Sequence, residues 1–136
     1  MSLEENKALV HLYYELVNRR ELDACYELFA PEFVFHSADG DMSREQTKQF
    51  DTMWLAAFPD LSATIEDVVA EGDKVSIRVS WRGTHKGEFM GIPPTGKKLD
   101  ITNANLFRIV AGRLVESWNV TDRLRFMQQL GVIPPQ

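Results

Sequence analysis

Two acids near the end of the chain fall in step with apolar neighbours: Leu114, Glu116, Trp118, Val120 and Asp122 recur at every second position. In a strand that spacing puts them all on one face. A carboxylate turned towards a core is costly unless partnered, and an apolar wall raises its pKa towards neutrality, where it can both accept and deliver a proton. Asp122 is therefore a candidate general acid/base. It also precedes Arg123-Leu124-Arg125-Phe126, where it (or Thr121) would N-cap a helix. Glu116 offers either a second acid or a structural ion pair with Arg108 or Arg113.

Groups that could hold a substrate carbonyl accompany these acids. The imidazoles of His36 and His85 can polarise a carbonyl or bind a developing enolate, unless backbone or water satisfies them at the sheet ends. The amides of Asn103 and Asn105 can donate to a carbonyl oxygen without titrating; the alternative is hydrogen bonding across the sheet. Trp54, Phe58, Trp81, Phe89 and Trp118 supply flat apolar surface, although aromatic residues at helix and strand spacing are ordinary core material.

The elements that must position these groups are legible from periodicity. Ser2 and Glu5 form a capping box, and Leu9, Leu12, Tyr13, Leu16 and Val17 fill a helical stripe behind it. Leu22, Cys25, Tyr26 and Phe29 mark a second short helix that stops before Pro31. Phe33 to His36 reads as a short strand. Ser43 and Gln46 form another capping box, opening a helix with the stripe Phe50, Met53, Trp54, Ala57 and Phe58, closed by Pro59.

From Leu61 the period becomes two. Strands are expected over Ser62 to Ala70, Lys74 to Lys86, Lys98 to Val110 and Arg113 to Val120, with tight turns at Gly72-Asp73 and Ala111-Gly112. Val75, Ile77, Val79 and Trp81 share a face with His85, opposite Arg78 and Arg82. Leu99, Ile101, Phe107 and Ile109 share a face with Asn103 and Asn105. Helices first and an antiparallel sheet afterwards read as an α+β fold. A curved sheet closed over by helices makes a cone with a pocket. The expected pocket set is His36, Trp54, Phe58, His85, Asn103, Asn105, Glu116, Trp118 and Asp122.

Composition excludes several classes. The 136 residues suit one domain spanning residues 1–136. A net charge of −5 and the lack of any Lys/Arg run argue against a nucleic-acid partner. The apolar stretches are too short to cross a bilayer, and no signal-peptide pattern opens the sequence. With the lone Cys25 these features lead us to expect a cytoplasmic location without a membrane partner. Three scattered histidines make a metal site unexpected, and no phosphate loop, dinucleotide fingerprint or activated Ser or Cys nucleophile is present, so no cofactor is expected.

Taken together, Gly83-Thr84-His85 with Gly87, Phe89 and Gly91, then Pro94-Thr95-Gly96-Lys97, Gly112, Glu116, Trp118, Asp122 and Gln129-Leu130-Gly131 resemble the SnoaL-like polyketide cyclase branch of the NTF2-like superfamily. The resemblance implies N-terminal helices packed on a strongly curved, mostly antiparallel sheet enclosing a pocket. It also implies homodimers paired through the outer sheet face, where Ser76, Arg78, Ser80 and Arg82 lie. In these cyclases the aspartate ending a Trp-x-x-x-Asp stretch is the general acid/base, and Trp118-Asn119-Val120-Thr121-Asp122 matches that spacing. The implied reaction is proton transfer and intramolecular aldol-type closure on a hydrophobic, carbonyl-bearing small molecule. Isomerase-like or hydrolase-like chemistry in the same pocket, or a non-catalytic ligand-binding or dimerisation module, are the other outcomes.

Overall fold

The computed structural model describes residues 2–134. The capping box of Ser2 and Glu5 opens the first helix, α1 (Leu3–Asn18): the Ser2 hydroxyl accepts from the Glu5 amide at 3.0 Å and the Glu5 carboxylate accepts from the Ser2 amide at 3.2 Å. A short α2 (Leu22–Glu27) follows, then β1 (Phe29–Ser37), β2 (Gly40–Ser43), α3 (Arg44–Ala57), β3 (Ser62–Glu71), β4 (Lys74–Thr84), β5 (Lys98–Val110), β6 (Arg113–Thr121) and α4 (Arg123–Gln129). The expected α+β architecture is present, with the Ser43/Gln46 box opening α3.

The six strands form one sheet in the order β2-β1-β6-β5-β4-β3. The β1–β6 pair is parallel, and the remaining pairs are antiparallel. The sheet curls without closing. Ala111 and Gly112, with φ of 51° and 77°, make the two-residue reversal between β5 and β6; two successive positive φ values fit the right-handed twist of the flanking strands.

β1 is longer than the sequence reading allowed and begins before Pro31. Proline cannot donate to a ladder, and the register against β6 shifts between Phe29 and Val34, so Pro31 sits inside that irregularity. β2 escaped prediction because Gly40-Asp41-Met42-Ser43 has no apolar alternation. It is a short edge strand, paired with β1 from Val34↔Ser43 to Ser37↔Gly40.

The core divides into two clusters, and Trp81 touches both. One packs α1, α2 and the sheet around Val10, Val17, Phe29, Phe33, Phe107 and Leu114. The other packs α3, α4 and the connection between β4 and β5 around Phe58, Phe89, Ile101 and Phe126. That connection is pinned to the end of α3: the amides of Lys86 and Gly87 both donate to the Ala57 carbonyl at 3.0 Å. Any Cβ at position 87 would lie 2.7 Å from the Ala56 carbonyl oxygen, so the approach demands glycine.

Candidate functional site

Between the concave sheet face and the helices lies a cavity of about 770 Å³. α1 contributes Tyr13 and Tyr14, α3 contributes Asp51 and Trp54, β5 contributes Asn103 and Asn105, β6 contributes Ser117 and Asn119, and α4 contributes Phe126. A cavity of this size and apolar character suits a small organic ligand.

Three expected pocket residues line it: Trp54, Asn103 and Asn105. β5 has the predicted phase, with Leu99, Ile101, Phe107 and Ile109 all buried beside these amides. β6 does not. Its pairing changes from Ile109↔Leu114 to Arg108↔Glu116, so Val115 is the extra residue of a bulge. A bulge of one residue reverses every side chain beyond it. Leu114 therefore points inward, but Ser117, Asn119 and Thr121 line the cavity in place of Glu116 and Trp118.

Glu116, Trp118 and His36 instead meet on the outer face. His36 Nε2 and Glu116 Oε2 are 2.6 Å apart, Arg108 Nε donates to Glu116 Oε1 at 2.9 Å, and the His36 and Trp118 rings stack at 5.1 Å. His36 and Arg108 hold the Glu116 carboxyl below its usual range, while Glu116 and Asp41 raise the His36 imidazole. This is a structural ion cluster, with Arg108 as one of the two expected partners.

Asp122 is exposed, does not line the cavity and caps α4, accepting from the Arg125 amide at 3.0 Å. His85 is fully buried away from the cavity. Its Nδ1 accepts from the Thr95 amide at 3.2 Å, and its ring stacks on Phe58 at 5.3 Å. Phe58 is wholly buried core behind the cavity wall. His85 thus fastens the rim loop that carries Phe89, Met90 and Ile92 over the cavity.

The amides of β5 and β6 form a closed circuit. Asn103 donates to Thr121 at 3.3 Å, Thr121 to Asn119 at 2.6 Å, Asn119 to Asn105 at 2.5 Å, and Asn105 back to Asn103 at 3.3 Å. Asn105 also donates to the Tyr14 hydroxyl at 3.0 Å, and Trp81 Nε1 donates to Asn103 at 3.3 Å. With every member donating to the next, the bonds polarise one another and fix each amide's orientation. Each amide nitrogen carries two hydrogens, so Asn103 and Asn119 each keep one beyond the circuit.

The acid that sequence reasoning missed is Asp51. It follows Thr47 by four residues on α3 and precedes Trp54 and Leu55, and all four line the cavity. Reading the helix through Thr47, Asp51, Trp54, Leu55 and Phe58 would have placed an acid in the buried stripe. Tyr26 donates to Asp51 Oδ2. Burial in the apolar wall pushes the Asp51 carboxyl up to about 7, against a weaker lowering by hydrogen bonding with Tyr13. Asp51 is half-buried, and the surface it keeps faces the cavity. Tyr13 and Tyr14 are themselves raised well above the ordinary phenol range, by burial and then by the Asp51 charge.

A curled, mostly antiparallel sheet with helices over its concave face is the NTF2-like arrangement. The family model for SnoaL-like polyketide cyclases matches residues 7–130, and the chain belongs to that family. Its structure is similar to that of AclR, a candidate hydroxylase from Streptomyces galilaeus, at 32% identity and a TM-score of 0.92, covering 99% of this chain and 86% of that one. It is similar to IdmH, a candidate polyketide cyclase from Streptomyces antibioticus, at 36% identity and a TM-score of 0.83, covering 93% and 98%. A protein from Catenulispora acidiphila with a ketosteroid isomerase-like fold shares that fold at 21% identity and a TM-score of 0.77, covering 90% and 92%. No curated protein matches the chain by sequence. Among the described residues, no helix is long and apolar enough to cross a membrane.

Proposed function

We propose that this chain is a cyclase acting on a hydrophobic, carbonyl-bearing small molecule by acid/base proton transfer, with Asp51 as the acid/base. The observation that carries the reading is a carboxyl in the apolar cavity wall, raised to about 7 and held by Tyr26. A group of that pKa is half ionised at neutral pH, the condition in which one residue both takes and returns a proton effectively. The acid/base role expected of Asp122 moves to Asp51, and Asp122 remains the cap of α4.

In this reading the Asp51 carboxylate removes a proton from carbon next to a substrate carbonyl. The free amide hydrogens of Asn103 and Asn119, with the Tyr14 hydroxyl, hold the oxygen as it gains charge. The resulting carbon nucleophile attacks a second carbonyl of the same molecule, one carbon–carbon bond forms, and Asp51 returns its proton to the new alkoxide. No atom is gained or lost, so the step needs no co-reactant. Trp54, Phe126 and Phe89 supply the flat walls that fold such a substrate onto itself.

We also propose a homodimer through the outer sheet face, where Val34, His36, Leu106, Trp118 and the exposed Val120 add an apolar and aromatic patch beside Arg78 and Arg82. The functional reading is tested by native mass spectrometry against a library of carbonyl-bearing aromatics, followed by turnover of whichever compound binds. Asp51→Asn should lower turnover by roughly 10²-fold or more while binding persists. Ligand binding with no turnover in any variant would favour the binding-module alternative.

A further inference from the structure

Arg123 is the one cation among the residues lining the cavity. Its guanidinium meets Asp39 fork to fork: Nη1 donates to Oδ1 at 3.2 Å and Nη2 to Oδ2. Both side chains stand at the mouth, 59% and 65% exposed. Around them the rim is apolar, formed by Met90 and Val132, which are exposed yet line the cavity.

We propose that Arg123 is a binding site for the carboxylate of an amphipathic carboxylic acid whose apolar body fills the cavity, and that Asp39 is the resident anion it displaces. This names the substrate class for the cyclase reading and rests on the cavity being the ligand site.

The bidentate pair is the first reason. A guanidinium presenting two donors to the two oxygens of Asp39 is already arranged for any carboxylate in that plane. The second is exchangeability. Asp39 lies in the two-residue turn between β1 and β2, and an ion pair this exposed contributes little to the fold. Replacing one carboxylate by another keeps both hydrogen bonds and leaves Asp39 free to hydrate.

The third reason is orientation. The interior offers an acid's body aromatic walls and neutral amides, while Asp51, deeper in the cavity wall, repels a second anion once ionised. A carboxylate is therefore favoured only at the mouth, where Arg123 stands and water still reaches it. That polarity sends the carbonyl-bearing body inward, towards Asp51 and the amide circuit.

The test is a fluorescence titration with 2-anthracenecarboxylic acid and its methyl ester at pH 8, using wild type, Arg123→Gln and Asp39→Asn. Wild type should bind the acid about tenfold or more tighter than the ester. Arg123→Gln should abolish that preference with ester affinity unchanged, and Asp39→Asn should tighten the acid alone by several-fold. A parallel titration compares 2-naphthoic acid with 2-naphthyl phosphate, and a larger Arg123-dependent gain for the phosphate would overturn the carboxylate assignment. Equal binding of acid and ester by wild type, or a preference surviving in Arg123→Gln, would overturn it while leaving the cavity as the ligand site. Failure of wild type to bind either anthracene would remove both.

Discussion

Replacing Asp51 by Asn should stabilise the protein, and only above mildly acidic pH. In the fold the Asp51 carboxyl is raised to about 7 from its ordinary 3.8, so the folded state holds a proton that the unfolded chain has released across that interval. A group of this kind supports the fold fully below the unfolded value, and its support is lost as pH rises through the folded value. About three pKa units correspond to roughly 4 kcal/mol, and water in the open cavity trims this to about 2–4 kcal/mol. Asn cannot ionise and keeps an oxygen to accept from Tyr26. Urea denaturation of both proteins at pH 3.5, below the unfolded value, and at pH 8 reads the effect. The two should be nearly equal in acid, and the variant should lead by about 2–4 kcal/mol at pH 8, roughly 5–12 °C in Tm for a domain of this size. A difference that does not change with pH, or a wild type that gains relative to the variant as pH rises, would refute the buried-carboxyl argument.

Three further outcomes follow from named contacts. Asp122→Ala should cost about 1 kcal/mol in urea melts through the lost cap of α4, with ligand affinity unchanged. Asn119→Leu opens the amide circuit and strips Asn105 and Thr121 of a partner, so unfolding free energy should fall by about 1–3 kcal/mol and carbonyl ligands should bind more weakly in calorimetry. Light scattering at micromolar concentration should show a dimer that Trp118→Arg dissociates, whereas wild-type monomer alone would remove the outer-face proposal.

Strand and helix identity was largely legible because the chain punctuates itself. Two capping boxes, Pro59 and the turn pairs set the element ends, and β5 occupies the predicted Lys98–Val110 span. The phase of β5 held because its ladder with β4 runs without a register shift from Lys74↔Arg108 to Thr84↔Lys98. β6 failed through a single extra residue, Val115, which no local preference announces. The cost of that one residue was the exchange of Ser117, Asn119 and Thr121 for Glu116 and Trp118. His36 was displaced for a related reason, since β1 pairs His36 with Trp118 and shares its outward direction. Asp51 was missed because a helix stripe was read from its apolar members alone. A cavity-lining acid looks like a solvent-facing one until the opposite wall is known.

The most direct test of Asp51 as the acid/base needs no natural substrate. 2-Tetralone is an apolar bicyclic ketone with acidic hydrogens next to its carbonyl, and its deuterium uptake in heavy water reports proton abstraction itself. Proton NMR should show wild type accelerating that exchange with a profile that rises through a pKa of about 7. Asp51→Asn should lose roughly 10²-fold or more of the acceleration. Asp122→Asn should match wild type. Undiminished exchange in Asp51→Asn, or its loss in Asp122→Asn, would contradict the account.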